Sequence, residues 1–170
     1  MALTPAQLAT LKTAILAETD AAFVALRNSG ATGAMAEFYN VTATPAFYVF
    51  RRSLSRHSIL TETSDDATTF AWAAGAYITR SQGERDAFRE MFNSTGAVDP
   101  SLPTIQAAFN DIFSGAGGVG NRAHIQAMGR RPVLRGERLY ATGTGSKIAQ
   151  GIAVFEGNIR NEDVIAALGS

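Results

Sequence analysis

Apolar side chains recur at intervals of three or four residues along most of this chain, and that spacing predicts amphipathic helices. Thr4, Pro5 and Gln7 supply an N-cap, a first helical residue and a capping-box partner for a helix that extends to about Glu18. Asp20 is the predicted cap of a second helix. Further short helices are predicted over 34–39, 44–54, 55–60, 64–78, 81–92, 105–113, 121–128, 132–142 and 161–168.

Residues 45–50 permit two interpretations. The Thr44-Pro45 pair is typical of a helix start, whereas the aromatic and β-branched side chains from Phe47 to Phe50 are typical of a strand. We predict a helix here, with Leu54 completing its apolar face.

The C-terminal part of the chain has a different pattern. Residues 143–146 are typical of a flexible linker, and 152–159 are either an extended strand or a docked arm. We therefore predict an all-α fold: a compact bundle of several short helices in a body over 1–142, followed by an extended C-terminal arm over 143–170. The arm comprises the linker, the extended segment, which would supply any β structure, and a short terminal helix. Its candidate contacts with a partner are Ile152, Val154, Phe155 and Ile159.

The composition limits the classes of protein to which the chain can belong. It has 170 residues, no cysteine, 46% hydrophobic and 18% charged residues, and fifteen basic side chains balanced by fifteen acidic ones. This suits one domain, or one domain plus an arm, and excludes intrinsic disorder, disulfides and thiolate sites. The zero net charge argues against a free-standing protein that binds nucleic acid by neutralising phosphates. No signal-peptide pattern or bilayer-spanning apolar run is visible, so we expect synthesis and folding in a cytoplasm, with no membrane partner.

Motifs that carry chemistry are weak. Residues 115–120 contain a GxGxxG pattern, but they follow a predicted helix rather than a strand, so we interpret them as a hinge. His57 and His124 each lack a histidine or carboxylate three or four positions away, so neither fits the usual spacing of zinc ligands. We predict no catalytic residue, no cofactor, no metal site and no enzymatic activity. The alternative from another class is a small hydrolytic enzyme, which would need a pocket that joins one of these histidines to a carboxylate.

Charged residues are unevenly distributed. Thirteen arginines accompany two lysines, and residues 122–147 hold six basic side chains against one acidic side chain, a local net charge of +5. Acidic residues concentrate at 62–66 and 84–90. Oppositely charged patches favour head-to-tail association of identical copies into a ring, and the basic segment also suits DNA phosphates. The candidate residues for a protein interface or a DNA channel are Arg51, Arg52, Arg56, Arg130, Arg131, Arg135, Arg138 and Tyr140.

Four segments of the chain, taken together, are similar to small proteins encoded among the virion structural genes of tailed bacteriophages. They are 3–12 (LTPAQLATLK), 39–50 (YN leading into TPAFYVF), 135–145 (RGERLYATGTG) and 155–164 (FEG leading into DV). The resemblance implies a non-enzymatic virion component of the head-to-tail adaptor, or neck, type. Such adaptors are typically helical, bind beneath the portal as a ring of about twelve copies, and extend an arm onto their neighbours.

The same resemblance implies the partners and the location of the protein. The partners are other copies of itself, the portal protein, a tail protein and, without sequence recognition, packaged DNA. The location is the virion, after assembly in the cytoplasm of the bacterial host. A tail terminator, a tail completion protein and a head decoration protein remain alternatives. If 143–170 is an arm, deleting it should weaken assembly more than it lowers the melting temperature of the body.

Overall fold

Helices and short strands alternate along the chain in the computed structural model, which describes residues 2–73 and 76–169. The helices within these ranges are α1 (Pro5–Ala17), α2 (Ala21–Asn28), α3 (Thr32–Tyr39), α4 (Arg56–Thr61), α5 (Gln82–Glu90), α6 (Pro103–Ile112), α7 (Val119–Met128), α8 (Arg135–Arg138) and α9 (Asn161–Gly169). The strands are β1 (Tyr48–Phe50), β2 (Leu54–Ser55), β3 (Ala97–Val98), β4 (Arg130–Pro132), β5 (Ala141–Thr142) and β6 (Ile152–Ala153). They form two-stranded sheets, β1 with β4, β2 with β3 and β5 with β6.

Predicted helix starts are observed where a side chain caps the helix by bonding to a residue three positions away. The Thr4 backbone N–H donates to the Gln7 side chain at 2.9 Å, and the Gln7 N–H donates to the Thr4 hydroxyl at 3.3 Å. Ser81 and Glu84 form a second capping box, and Asp20 accepts from the Phe23 N–H at 3.1 Å. These bonds satisfy backbone donors that a helix start leaves without partners. The prediction of a mainly helical chain is confirmed.

The all-α class is too narrow, because short strands interrupt the helices. Residues 48–50 form β1 instead of part of a helix, so the prediction for 44–54 is wrong. The Val133 N–H donates to the Phe47 carbonyl at 3.0 Å, and the Tyr48 N–H donates to the Gly145 carbonyl at 2.7 Å. These bonds to distant residues satisfy an extended backbone, in keeping with the aromatic and β-branched content of the segment.

Two further predicted helices differ from the structure. The segment 132–142 divides into the end of β4, the four-residue α8 and β5. The segment 64–78 contains no helix over 64–73 and 76–78, and its residues 74 and 75 lie outside the described residues. The Ser64 N–H donates to the Thr68 carbonyl at 2.9 Å, so the polar residues expected to cap a helix form a turn instead.

Contacts between residues divide the chain into two compact units, and we describe each by itself. Unit 1 comprises 1–49 and 132–170, and unit 2 comprises 50–131. This division differs from the predicted boundary at residue 142, because α9 packs on α1 and α3 within unit 1. The segment 143–170, expected as an arm, is therefore part of the packed structure of unit 1.

The two units have cores of different composition. The core of unit 1 joins both ends of the sequence and contains Leu3, Leu11, Ile15, Phe23, Met35, Tyr39, Tyr140, Phe155, Ile159, Val164 and Ala167. The core of unit 2 is rich in aromatic rings and contains Leu54, Ile59, Phe70, Tyr77, Phe88, Phe92, Val98, Phe109, Ile112, Phe113, Ile125 and Met128. None of the described helices is both long and apolar enough to cross a membrane.

Candidate functional site

A β-hairpin in unit 1 contains the segment that sequence analysis assigned to a flexible linker. β5 pairs with β6 in antiparallel register, with Ala141 opposite Ala153 and Thr142 opposite Ile152. The connecting residues 143–151 are held by backbone bonds. Besides the bond from Tyr48 to the Gly145 carbonyl, the Gly151 N–H donates to the Tyr48 carbonyl at 2.9 Å. The segment is a hydrogen-bonded loop, so its position relative to unit 1 is set by the fold.

Glycines let this loop pack directly against an aromatic ring. Gly145 has a φ of +66°, and a Cβ added there would lie 2.2 Å from Cδ2 of Phe47. A Cβ at Gly151 would lie 2.4 Å from the carbonyl oxygen of Thr142. Real Cβ atoms do not approach other atoms this closely, so both positions require glycine. The glycines that suggested a linker instead allow close packing.

The hairpin presents apolar side chains to solvent. Ile148, at its tip, is 96% exposed, and Ile152 and Val154 are 52% and 61% exposed. Along β6 and the residues after it, these exposed side chains alternate with the buried Ala153 and Phe155, as expected for extended chain with one buried face. We call Ile148, Ile152 and Val154 the hairpin surface.

The four predicted arm contacts therefore separate into two pairs. Ile152 and Val154 are accessible to a partner, whereas Phe155 and Ile159 are 8% and 2% exposed and belong to the core of unit 1. Phe155 also packs edge-to-face on Tyr140, with ring centroids 5.4 Å apart. Sequence analysis missed Ile148, and because residues 152–155 are all apolar, no alternation with polar residues indicates which of them face outward.

Arg130 is not at a surface, contrary to its prediction as an interface residue. It is 6% exposed and forms ion pairs with Asp65 at 3.0 Å and with Asp66. Burial by itself would lower the pKa of Arg130, but the hydrogen bonds to Asp66 and Asp65 raise it above the ordinary value. The basic and acidic segments thus neutralise each other within unit 2, which removes part of the charge pattern that suggested head-to-tail association.

The other predicted basic residues of unit 2 lie nearer the surface. Arg51 and Arg52 are exposed, and the Arg51 Nε–H donates to the Arg130 carbonyl at 3.1 Å. Arg56 is half-buried, with its guanidinium 6.0 Å from the ring centroid of Phe88. Arg131 is half-buried as well. Arg51 and Arg52 are therefore the members of this group that present charge to solvent most fully.

Tyr140, predicted as an interface anchor, is buried in unit 1. Its hydroxyl donates to the Gln7 carbonyl at 3.0 Å. Burial and the negative charge of Asp163 raise the pKa of Tyr140 to about 12. The residue connects the RGERLY segment to α1 and has an internal structural role.

Arg135 and Arg138 line an open cleft of about 430 Å³ in unit 1. We call it the arginine cleft and define it by Glu18, Asp20, Phe38, Thr44, Arg135 and Arg138. The Arg135 guanidinium lies 4.2 Å from the ring centroid of Phe38, a distance at which a cation is attracted to the ring. Of the predicted interface residues, these two are the ones the fold places together at a concave surface.

The histidines are not joined to a carboxylate. His57 is exposed. His124 is fully buried in unit 2, where Nε2 donates to the Ile59 carbonyl at 2.8 Å and Nδ1 lies 3.2 Å from the Thr68 hydroxyl. A carbonyl can only accept, so the ring carries a hydrogen on Nε2. Residues 2–73 and 76–169 contain no group of three or more histidine, cysteine or acidic side chains that could hold a metal.

The glycine-rich segment at 115–120 is packed and does not resemble a phosphate-binding loop in its setting. It forms a short 3-10 turn at Ala116–Gly118 that leads directly into α7. A Cβ at Gly118 would lie 1.9 Å from the carbonyl oxygen of Phe113, so this position admits only glycine. The segment follows α6, not a strand, and this close approach argues against a free hinge.

Comparison with known proteins gives no match: no protein-family model, no curated protein and no solved structure is significantly similar to this chain.

Proposed function

We propose that the protein is a structural component of a tailed-phage particle, a head-to-tail adaptor that assembles as a ring on the portal and joins head to tail. The observation that carries the proposal is the hairpin surface, where three large aliphatic side chains project from a loop fixed to unit 1. Aliphatic side chains held outward by a hydrogen-bonded hairpin suit a subunit interface, where their burial is favourable.

The location of the phage-like segments supports the same proposal. Residues 3–12, 135–145 and 155–164 all belong to unit 1, as does 39–50 apart from Phe50. The segments are far apart in sequence, yet they supply part of α1, the end of α3, β1, α8, β5 and the start of α9. The hairpin surface itself lies within 146–154, between the third and the fourth segment. We therefore propose that unit 1 carries the adaptor function, with the hairpin as its contact with a neighbouring subunit.

Burial of the hairpin surface would provide a large part of the association free energy. Fully burying an isoleucine or valine side chain contributes roughly 1.5–3 kcal/mol. In the proposed ring this surface meets a different surface on the next copy, a heterologous contact of the kind that closes into a ring when the rotation between copies allows it. Arg51, Arg52 and Arg138 are the exposed cations proposed to face the portal or packaged DNA.

The oligomeric state tests this proposal. Light scattering after gel filtration, with the protein alone and with the portal protein of the same phage, is expected to show a ring of about twelve copies. The variant carrying Ile148→Asp and Val154→Asp should remain monomeric and should not bind the portal. Ile165→Asp is the matched control, because Ile165 is 52% exposed on α9, outside the hairpin.

Two results decide against the proposal. One is a wild-type protein that stays monomeric at high concentration and does not bind the portal. The other is equal loss of assembly in Ile165→Asp and in the hairpin variant. Labelling the protein in intact particles then separates the neck position of an adaptor from tail termination, tail completion and head decoration.

A further inference from the structure

The arginine cleft contains two cations that have no acidic partner. The Arg138 guanidinium donates one hydrogen bond, to the Pro45 carbonyl at 3.2 Å, and lies 5.7 Å from the ring centroid of Phe47. Arg135 stacks on Phe38. Within residues 2–73 and 76–169, neither guanidinium forms an ion pair with a carboxylate. A guanidinium has five N–H donors, so most donors of both side chains remain available to a ligand.

The two carboxylates that line the same cleft are engaged elsewhere. The Glu18 side chain accepts from the Thr19 N–H at 2.9 Å and from the Asp20 N–H at 3.0 Å. Asp20 accepts from the Phe23 N–H as the cap of α2. The acids are therefore held by backbone donors, and the fold keeps them beside the arginines without pairing them.

The charge of the cleft is balanced, since it is lined by two positive and two negative side chains. The two acids already accept backbone hydrogen bonds, so an anionic ligand would take its charge-assisted bonds from the guanidiniums. A second negative charge on the ligand would add repulsion from Glu18 and Asp20 as well as attraction to the arginines. A planar carboxylate also matches the fork of guanidinium donors.

Part of the remaining wall of the cleft is apolar, namely Phe38, Ala43 and Leu139, and Tyr39 and Thr44 complete the lining. We infer that the arginine cleft is a binding site for a monocarboxylate with a small apolar body, held by Arg135 and Arg138. The carboxylate could be a free small molecule or an acidic side chain of a neighbouring protein, because the chemistry at the guanidiniums is the same. The inference does not depend on ring assembly.

Calorimetric titration with three aromatic probes tests the inference. Benzoate is expected to bind saturably to the intact protein. Benzamide has the same shape without the charge and should bind at least about tenfold more weakly, since a charge-assisted hydrogen bond contributes about 1.5–3 kcal/mol. Phenyl phosphate replaces the planar carboxylate by a larger tetrahedral dianion and should bind no more tightly than benzoate.

Substitutions identify the groups that bind. Arg135→Gln and Arg138→Gln should each raise the Kd for benzoate about tenfold or more. Arg160→Gln is the matched control, since it removes the same charge from an exposed position of unit 1 outside the cleft and should leave the Kd unchanged. The melting temperature of each variant checks that it folds, and Arg138→Gln guards against a folding defect in Arg135→Gln because the Arg138 side chain is exposed.

Three results would overturn the inference: no saturable binding of benzoate, equal affinity for benzoate and benzamide, or unchanged affinity in both cleft variants. The source of the carboxylate follows from adding benzoate to an assembled oligomer. Dissociation indicates that a neighbouring copy supplies the group, and stable assembly with benzoate bound indicates a free ligand. Both results support the site. Benzoate binding by a monomer would leave the site intact even if the adaptor proposal failed.

Discussion

Units 1 and 2 build their cores from differently arranged parts of the sequence. Unit 2 is continuous, from residue 50 to 131, whereas unit 1 combines the first 49 residues with the last 39, from 132 to 170. Unit 1 therefore depends on contacts that close longer stretches of chain than those of unit 2: Gln7 and Tyr140 are 133 residues apart, whereas Asp65 and Arg130 are 65 residues apart. Loop-closure entropy opposes such contacts, so they must be supported by packing and by specific bonds.

Both units use buried polar side chains to hold irregular segments. In unit 1, the Asn40 side chain accepts from the Ile159 N–H at 2.8 Å and donates to its carbonyl at 2.9 Å, across 119 residues of sequence. In unit 2, the Asn121 side chain makes the same pair of bonds with Ala71, at 2.7 and 3.0 Å. The amide mimics a strand partner in each case. In unit 1 this device connects the two ends of the chain.

The largest predicted effect is a deletion that should unfold one unit and leave the other folded. Deleting 143–170 removes Phe155, Ile159 and Val164 from the core of unit 1. Truncation of one buried isoleucine side chain already costs about 2–5 kcal/mol, so the deletion should unfold unit 1. Unit 2 should stay folded, since its core lies within 50–131. This reverses the sequence-based expectation that deleting 143–170 weakens assembly more than it lowers the melting temperature of the body.

Hydrogen exchange measured by mass spectrometry checks this prediction. We expect rapid exchange in α1 and α3 and slow exchange in α6 and α7. A chain that ends at Gly169 is the control and should retain protection everywhere. Unchanged protection of α1 in the deleted chain would contradict the packing described here.

A core substitution in unit 2 should have a smaller and more local effect. Phe113 is fully buried and packs on Phe88, with ring centroids 5.5 Å apart and nearly perpendicular. Phe113→Ala should lower the free energy of unfolding of unit 2 by about 3–5 kcal/mol. Denaturant titration monitored by hydrogen exchange should show that α1 and α9 keep their protection. Equal loss in both units would mean that they unfold as one cooperative body.

The next largest effect is expected at a buried carboxylate of unit 1. Glu137 is 3% exposed and accepts from the N–H groups of Leu134 and Gly157, each at 3.0 Å. Glu137→Gln places an amide NH2 against one of these donors and should cost about 1.5–3 kcal/mol of unfolding free energy. Glu37→Gln, at an exposed position of α3, is the control and should change stability by less than about 0.5 kcal/mol. Similar effects of both would rule out a specific role for Glu137.

Alkaline pH should destabilise unit 1 through its buried tyrosines. Burial raises the pKa of Tyr140 to about 12 and raises that of Tyr39 further, while an unfolded tyrosine titrates near 10.0. The unfolded state loses its protons first, so the stabilising contribution is complete below about pH 10 and is lost as the pH rises towards the folded pKa. The loss should be about 1.4 kcal/mol per pH unit for each tyrosine.

Chemical denaturation between about pH 9 and about pH 12, with ultraviolet absorbance reporting tyrosine ionisation, measures this slope. The double variant carrying Tyr39→Phe and Tyr140→Phe should flatten it. A slope that persists in the double variant would assign the alkaline sensitivity to other groups.

The smallest effects come from the same two tyrosines at neutral pH. The hydroxyl of Tyr39 is buried without a hydrogen-bond partner, whereas that of Tyr140 donates to Gln7. Tyr140→Phe should cost about 1 kcal/mol, and Tyr39→Phe should be neutral within about 0.5 kcal/mol or stabilising. Paired thermal denaturation of the two variants checks the order. A larger loss in Tyr39→Phe would show that its hydroxyl has a partner in solution.

Helix starts are the part of the fold that sequence analysis predicted best. The bonds of Thr4 with Gln7, of Asp20 with Phe23 and of Ser81 with Glu84 each join residues three positions apart. Such bonds depend on nearby residue types only, so they can be read before the tertiary structure is known. The starts of α6, α7 and α9 were also predicted within two residues, although α6 and α7 have no side-chain capping bond.

Interactions between distant residues decided the rest. β1 is a strand because Phe47 and Tyr48 bond to Val133 and Gly145, and Arg130 is buried because it meets Asp65 and Asp66. The local signals at 45–50 are divided between helix and strand, and nothing near Arg130 in the sequence distinguishes a buried cation from a solvated one. The same holds for the candidate sites. The sequence by itself determined the helix caps, the helical periodicity and the balance of charge, because these depend on composition and on neighbours within one turn. Only the tertiary structure determined which aliphatic side chains project from the hairpin and which arginines share the cleft, because burial and ion pairing depend on contacts between residues that are far apart along the chain.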